Sequence, residues 1–235
     1  MIRTHPHMLA QYKQQHPYLV ALDSIILGFD GETLRVLLVK RGVEEETWSL
    51  MGGWLQPDET LDQAANRILY ELTGLTNVYL EQLHAFGDPH RDPITRTVSV
   101  AYFALIKVAD DESRLSDAYQ AQWFSVYDLP PLLFDHADMV ELSIKRLRYK
   151  AAHQPIGFEL MPEKFTIPQL KKLYDAIYNT DFDKRNFSRK ILSTGLLIKL
   201  DEKQKGYSKK GAFYYQVDKA KYQQAIESLL SFIAN

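Results

Sequence analysis

A glycine pair, a carboxylate and a charged helix-like segment follow one another within residues 51–75, and these residue types at this spacing are suited to chemistry. The pair that ends at Gly53 precedes Glu59, and residues 60–72 have the composition of a helix that ends before Gly74. A loop that opens a helix presents backbone N–H groups without partners at the helix N-terminus. The segment therefore predicts a site for a phosphate or a polyol.

The order of residues in this segment resembles the Nudix box, a motif of glycines, glutamates, an arginine and aliphatic residues at fixed spacing. Seven positions are in register with the motif: Gly53, Glu59, Arg67, Leu69, Glu71, Gly74 and Leu75. At two positions where the family has glutamates, this chain has Ile68 and Leu72. The resemblance implies a Nudix fold in the first part of the chain.

The two departures from the motif bear directly on its chemistry. In enzymes of that family, the glutamates matching Ile68 and Leu72 hold divalent cations against a pyrophosphate. Mg²⁺ needs oxygen ligands, which alkyl chains do not supply. Glu59 and Glu71 remain, but two carboxylates make a poor cage, so we expect no catalytic residue, no metal and no cofactor. The alternative is an ordinary helix whose apolar stripe, continued by Leu61, packs in the core.

Composition and charge describe a globular chain with two unlike parts. Its 235 residues are enough for two small domains, and its 46% hydrophobic and 25% charged residues are typical of soluble proteins. The net charge of −2 hides a split, because residues 155–235 hold 14 basic and 9 acidic side chains. We expect a polyanionic partner to meet this C-terminal part.

Three features of the sequence favour the cytoplasm. The chain has no cysteine, which excludes disulfides and fits a reducing compartment. Residues 1–17 lack the apolar centre of a signal peptide. No apolar run approaches the roughly 20 residues that a membrane span requires. We therefore expect a cytoplasmic protein that does not contact a membrane.

Apolar patterning predicts alternating strands and helices in the first part of the chain. Strands are expected over 18–29, 33–40, 78–86, 97–108 and from 122, with helices over 60–72 and 137–150. Asp30-Gly31 is a hairpin signal between the first two strands. This alternation predicts a Nudix-like α/β/α sandwich.

The periodicity changes to that of a helix-turn-helix in the second part of the chain. Helices are expected over 165–178 and 184–193, strands over 196–200 and 212–217, and a last helix over 219–233. Asp183 is a candidate N-cap for the second of these helices. The outline is that of a winged helix-turn-helix. The predicted fold is α+β, with a sandwich domain over 1–152 and a winged helix domain over 153–235.

The second helix of this module and the wing carry a basic surface. The candidate DNA-binding residues are Lys184, Arg185, Asn186, Ser188, Arg189 and Lys190 on the helix, and Lys203, Lys205, Lys209 and Lys210 on the wing. Phe187, Ile191 and Leu192 are expected to face the core. Arginine and asparagine can read purine edges, and each neutralised phosphate adds about 0.9 to the salt dependence of binding. The alternative is a solvated basic helix with a flexible hairpin, but the helix-turn-helix spacing favours DNA binding.

A degenerate Nudix domain followed by a winged helix resembles the Nudix-related transcriptional regulators. Besides the box, the stretches 91–100, 123–136 and 183–190 carry this resemblance. It implies a homodimeric repressor that releases a palindromic double-stranded DNA operator when a small metabolite enters the Nudix domain. One branch of the family responds to ADP-ribose. The other, which this chain resembles more, responds to L-arabinose and controls sugar utilisation.

The resemblance directs the search for effector-binding residues to the first domain. The candidates are Lys40, Trp54, Glu59, Arg67, Glu71, Arg91 and Arg96, with Asp135 and His136 as further candidates. Trp54 could stack on a sugar or a base, whereas Arg67 and Glu71 could equally form an exposed ion pair. Two other functions remain open: an active Nudix hydrolase of ADP-ribose or sugar nucleotides, and a scaffold that binds another protein through residues 165–235.

Overall fold

The computed structural model describes residues 6–40, 47–108, 120–153, 157–204 and 211–224, which form two packed units. The helices are α1 Pro6–Lys13, α2 Leu61–Thr73, α3 His136–His153, α4 Ile167–Tyr178 and α5 Lys184–Ser193. The strands are β1 Leu19–Phe29, β2 Leu34–Lys40, β3 Trp48–Ser49, β4 Met51–Trp54, β5 Tyr79–Phe86, β6 Thr97–Lys107, β7 Gln122–Ser125, β8 Phe165–Thr166, β9 Leu197–Gln204 and β10 Ala212–Val217. Among the helices in these ranges, none has the length and apolar character needed to cross a membrane.

Strand β1 is the centre of a seven-stranded sheet in the first unit. It pairs antiparallel with β2 and β4, and parallel with β6 along its full length. Strand β5 pairs with β6, while β3 and β7 pair with β2. The predicted hairpin between β1 and β2 is confirmed: the Asp30 carboxylate accepts the N–H groups of Glu32 and Thr33, and Gly31 adopts a φ of +99° that favours glycine.

Helix α2 is the helix of the box, and local signals fix both of its ends. The Thr60 hydroxyl accepts the N–H of Gln63, whose side chain accepts the N–H of Thr60 in return. Gly74 ends the helix in the left-handed conformation, with a φ of 66°. The apolar stripe of the helix packs on the sheet, where Ile68 is 1% and Leu72 0% exposed. The two residues that depart from the box are therefore core residues.

Helix α3 covers the opposite face of the sheet. Side chains of β1 alternate between the faces: Leu22 and Ile26 belong to the core beneath α2, whereas Ile25 and Leu27 join the core that contains Met139 of α3. One sheet between α2 and α3 is the predicted α/β/α sandwich, which is confirmed.

Helices α4 and α5, with a three-stranded sheet in the order β8-β10-β9, form the second unit. Thr166 caps α4 through a capping box with Gln169. Asp183 caps α5 by accepting the N–H of Asn186 at 2.8 Å. The predicted winged helix-turn-helix is confirmed, and α5 has the predicted bounds.

Some details of the second unit differ from prediction or lie beyond what the structure describes. The prediction that Leu192 faces the core is wrong, since the residue is 43% exposed. Phe187 and Ile191 are four residues apart on one helical face, and Leu192 is rotated about 100° from Ile191. Strand β9 extends to Gln204 because it keeps pairing with β10 as far as Ala212. Residues 219–224 begin the predicted last helix, whose remainder lies outside the described residues. The domain boundary at 152/153 stays a prediction.

The two units are joined by hydrogen bonds around the C-terminal end of α4. The Tyr127 hydroxyl donates to the carbonyl oxygens of Ala176 and Ile177 at 2.6 and 3.0 Å. Arg148 of α3 donates to the Ile177 carbonyl at 2.8 Å, and the Tyr178 hydroxyl donates to the Arg148 carbonyl at 2.8 Å. The last carbonyls of a helix have no partner inside it, so side chains of the first unit cap α4. One buried apolar cluster also runs through both units.

The substitution Ile68→Ala should lower the free energy of unfolding by about 2–5 kcal/mol, because it leaves a cavity between α2 and the sheet. Urea unfolding followed by circular dichroism measures this loss. Tyr70→Ala on the same helix is a matched control, since Tyr70 is 55% exposed and its loss should cost less than about 1 kcal/mol. Equal losses in the two variants would contradict the burial of Ile68.

The substitution Asp183→Ala should destabilise the second unit by about 0.5–2 kcal/mol, because α5 loses its N-cap. Asp183→Asn should change the stability by no more than a few tenths of a kcal/mol, because asparagine caps a helix about as well as aspartate. Thermal unfolding of the three proteins distinguishes the two variants. A loss of the same size with asparagine would show that the charge of Asp183, and not its capping hydrogen bond, stabilises α5.

Candidate effector site and nucleic-acid interface

Four of the candidate effector-binding residues form a cluster around Arg67 beside α2. The Arg67 guanidinium donates to both carboxylate oxygens of Glu59, at 2.7 and 3.0 Å, and to Glu71 at 3.3 Å. It also donates to the backbone carbonyl of Trp54 at 3.1 Å, and Trp54 is 48% exposed. The hydrogen bond from Arg67 lowers the pKa of Glu59 and raises the pKa of Arg67 itself. The cluster therefore clamps the loop after β4 to α2.

This cluster does not fit a divalent cation. Glu59 and Glu71 already accept from one arginine, and the side chains of Ile68 and Leu72 fill the space between helix and sheet. A Cβ added to Gly53 would lie 3.3 Å from the Ile68 side chain, so the isoleucine lies directly against β4. Across the described ranges, no three or more His, Cys, Asp or Glu side chains are grouped to hold a metal ion. No step of a metal-dependent hydrolysis follows from this geometry.

A second polar cluster lies on the α3 face of the sheet, and we call it the Asp23 network: Asp23, Arg91, Ser99, Asp135 and His136. Arg91 donates to both carboxylate oxygens of Asp135, at 2.9 and 2.7 Å, and lies 3.5 Å from Asp23. The Ser99 hydroxyl donates to Asp23 at 2.6 Å, and Nε2 of His136 lies 3.6 Å from the other Asp23 oxygen. Asp135, just before α3, is partly exposed, and the other four residues are buried.

The charge states of this network follow from its contacts. Burial by itself would lower the pKa of Arg91, but the hydrogen bonds to Asp135 and the charges of Asp135 and Asp23 outweigh burial and raise it. The guanidinium therefore stays charged. His136 accepts the N–H of Leu50 at Nδ1 over 3.2 Å, which assigns the proton of a neutral ring to Nε2, facing Asp23.

The sheet separates the candidate effector-binding residues from one another. Arg91, with Asp135 and His136, lies on the α3 face, whereas the Arg67 cluster lies beside α2. Lys40 extends over the Trp48 ring at 5.4 Å. Arg96 donates to backbone carbonyls in the loop after β5, at 3.0 Å each. The seven residues do not share one surface, and their role in binding stays a prediction.

Sequence reasoning misses Asp23, Ser49 and Ser99 as site residues. The one available signal is the charge of Asp23 inside a strand that is apolar except for Asp23 and Ser24, because a buried charge requires partners. Ser49 lies 3.4 Å from Nδ1 of His136 and completes the network on the β3 side. Position 52 requires glycine, because a Cβ added there would lie 2.2 Å from an Asp23 carboxylate oxygen.

The predicted basic face of α5 is open to solvent. Its exposed members are Lys184, Arg185, Asn186, Arg189 and Lys190. Ser188 is half-buried, and its hydroxyl donates to the Lys184 carbonyl at 2.7 Å. Arg189 donates to the Asn186 side-chain oxygen at 3.0 Å, so these two polar groups are held side by side in the first two turns of the helix. This face presents the donor and acceptor types that bind base edges in a major groove.

The wing adds a pair of lysines that share one aromatic ring. The ammonium groups of Lys199 and Lys203 lie 3.6 and 4.4 Å from the centroid of the Phe213 ring. Lys203 is a predicted residue, whereas Lys199 is missed because only the pairing of β9 with β10 places it beside Phe213. The remaining predicted wing residues, Lys205, Lys209 and Lys210, lie outside the described residues.

Comparisons with known protein families and proteins cover both units. The NUDIX domain family matches residues 17–143, and the NrtR DNA-binding winged helix domain family matches residues 157–217. A curated relative from Acinetobacter baylyi, described as an ADPR responsive transcriptional repressor, is 32% identical over 202 residues. The match covers 83% of this chain and 81% of that relative.

Solved structures of Shewanella oneidensis NrtR are similar over most of the chain. One is 28% identical with a TM-score of 0.74, and covers 85% of this chain and 94% of that one. Another, complexed with a 27mer DNA, is 27% identical with a TM-score of 0.75, and covers 85% and 93%. The chain belongs to the NrtR family of transcriptional repressors, in which a Nudix domain precedes a DNA-binding winged helix domain.

Proposed function

We propose that the chain is a homodimeric repressor of sugar utilisation genes that releases a palindromic operator when L-arabinose binds in its Nudix domain. The observation that carries the proposal is the exposed basic face of α5 beside a lysine-bearing wing. That module is packed on a sandwich in which buried alkyl groups occupy the positions of metal-binding glutamates. Together they favour a protein that binds DNA and senses a ligand.

The DNA-binding part of the proposal follows from how helix-turn-helix proteins dock. The first residues of the recognition helix contact base edges in the major groove, and flanking cations contact phosphates. Arg185, Asn186 and Arg189 occupy the first turns of α5, with Arg189 oriented by its hydrogen bond to Asn186. Lys199 and Lys203 are held on the wing by Phe213, which suits phosphate contacts at the groove edge.

The homodimer is proposed because a palindromic operator requires two recognition helices related by a two-fold axis. They must lie one turn of DNA apart, about 34–36 Å. A ligand that prefers a dimer with a different spacing lowers the affinity for the operator. By linkage, the operator lowers the affinity for the ligand by the same factor. The size of this coupling is limited by the difference in ligand affinity between the two arrangements.

The hydrogen bonds that the arginines of the Nudix domain already make favour a neutral sugar as the effector. Arg67, Arg91 and Arg96 each donate to carboxylate or carbonyl oxygens of the protein itself. A diphosphate would have to compete with these partners for its guanidinium donors, whereas sugar hydroxyls bind to carboxylates and donors together. ADP-ribose is the second candidate, supported by the description of the Acinetobacter baylyi relative as ADPR responsive.

The alternative function, an active Nudix hydrolase, requires a cation to polarise the pyrophosphate. Ile68 and Leu72 supply no oxygen, and the hydrogen bonds of Glu59 and Glu71 to Arg67 leave a weak set of ligands. We therefore propose that the Nudix domain binds its ligand without hydrolysing it.

Arg185→Ala and Arg189→Ala should each weaken operator binding by about 1–3 kcal/mol, because each removes a base-reading side chain. Lys203→Ala should instead lower the salt slope of binding by about one, because it removes a phosphate contact. Gel shift at several salt concentrations, on DNA from the promoter region of the protein's own gene, measures both effects.

Lys145→Ala is the control for charge loss, since Lys145 is 64% exposed on α3, outside the basic face. It should bind the operator like the wild type. A wild-type protein without salt-dependent binding to the operator would defeat the proposal. Equal losses in Lys145→Ala and Arg185→Ala would show that net charge, and not the α5 surface, is responsible.

Calorimetric titration with L-arabinose should give saturable heat, and the sugar should weaken operator binding in gel shift. ADP-ribose with Mg²⁺ should not be turned over, because the carboxylate cage is incomplete. Binding of ADP-ribose without turnover, together with silence toward L-arabinose, would make ADP-ribose the effector. Turnover that requires Mg²⁺ at enzyme-like rates would support the hydrolase instead.

A further inference from the structure

Leu192 is an exposed leucine on the helix that carries the basic face, although the sequence predicts that it faces the core. It is 43% exposed, whereas its neighbour Ile191 is 7% exposed. A single exposed leucine carries little meaning by itself, but this one lies among the candidate DNA contacts of α5. We propose that Leu192 reads the C5-methyl group of a thymine in the operator. The inference rests on the proposed function and names a base that the operator should contain.

Leu192 lies on the same stripe of α5 as the two arginines of its exposed face. Successive residues of a helix are rotated by about 100°, so Leu192 is within about 20° of Arg185 and about 60° of Arg189. Arg185, Ser188, Arg189 and Leu192 have the spacing i, i+3, i+4 and i+7. Recognition helices of the homeodomain type read bases with side chains at this spacing. Leu192 therefore belongs to the base-reading face of α5.

The C-terminal end of α5 presents this alkyl group in open space. The hydroxyls of Ser193 and Thr194 donate back to carbonyl oxygens of their own helix, at 2.8 and 2.7 Å. Gly195 then turns the chain with a φ of +69°. Among the described residues other than its chain neighbours, no atom lies within 4 Å of a Cβ added to Gly195. Both hydroxyl protons are thus engaged, and Leu192 offers an alkyl group to a base.

An alkyl group at this position selects one base among four. In the major groove thymine presents a methyl group, whereas adenine, guanine and cytosine present hydrogen-bond donors and acceptors. Packing leucine on a methyl group removes apolar surface from water, whereas packing it on a polar edge leaves that edge without its hydrogen bonds. Leu192 therefore favours thymine, whereas Arg185 and Arg189 favour guanine.

The spacing along α5 indicates where this thymine lies. A helix rises 1.5 Å per residue, so Leu192 is about 10.5 Å from Arg185 and about 4.5 Å from Arg189 along the axis. Successive base pairs are about 3.4 Å apart. For a helix that lies along the groove, the thymine is therefore about three base pairs from the base that Arg185 contacts, within the same half-site.

Single uracil substitutions in the operator test this contact, because uracil pairs like thymine and lacks only the methyl group. The probes are duplexes from the promoter region of the protein's own gene, each with one thymine replaced by uracil. Fluorescence anisotropy measures their affinity for the full chain. One uracil in each half-site should weaken wild-type binding about fourfold, which is the effect of losing the burial of one methyl group.

Leu192→Ala should bind the thymine operator about fourfold or more weakly. It should show no further loss with that uracil, because the side chain and the methyl group form one contact. Its salt slope should equal that of the wild type, since no charge is removed. Leu192→Met keeps an apolar side chain and should retain the uracil effect.

Ile198→Ala is the matched control, since Ile198 is an aliphatic residue of the same unit that is 41% exposed on β9, outside α5. It should bind the thymine and the uracil probes like the wild type. Loss of the uracil effect in this variant as well would overturn the assignment to Leu192.

Two further results would overturn the inference and leave the proposed function intact. One is a wild-type protein that binds its operator and is weakened by no single uracil. The other is a Leu192→Ala variant that loses as much affinity with uracil as the wild type does. A wild-type protein without salt-dependent binding to the operator would instead defeat the proposed function, and this contact with it.

Discussion

Strand β1 presents alternate side chains to two different helices, and the first unit depends on that alternation. Leu22 and Ile26 pack beneath α2, whereas Asp23 and Ile25 face α3. A slip of one residue would place the Asp23 carboxylate in the apolar core under α2 and leave Arg91 without one of its partners. Pairing with β6 along the whole strand prevents that slip.

The sheet therefore keeps two polar clusters apart. Beside α2, Arg67 lies between Glu59 and Glu71, and the buried side chains of Ile68 and Leu72 lie beneath it. On the α3 face, the buried charges lie at the N-terminal end of α3. The other end of this helix is hydrogen-bonded to α4 of the second unit.

Contact between the units packs the winged helix against the sandwich. The end of α4 is capped by Tyr127 and Arg148 of the first unit, and one apolar cluster runs through both units. Opening this contact would leave helix carbonyls without partners and expose core residues, which is costly. Hydrogen bonds and apolar packing therefore hold the two units together.

The sequence by itself determined the local features of this protein. The turn at Asp30-Gly31, the end of α2 at Gly74 and the start of α5 at Asp183 were predictable because each signal lies within a few residues of its effect. The basic face of α5 was predictable because helical periodicity is local. Only the tertiary structure brought together side chains 76 residues apart, as in Asp23 with Ser99, or 44 apart, as in Arg91 with Asp135. Their meeting depends on strand register and on which face of the sheet each helix covers, and neither is encoded in a short stretch of residues.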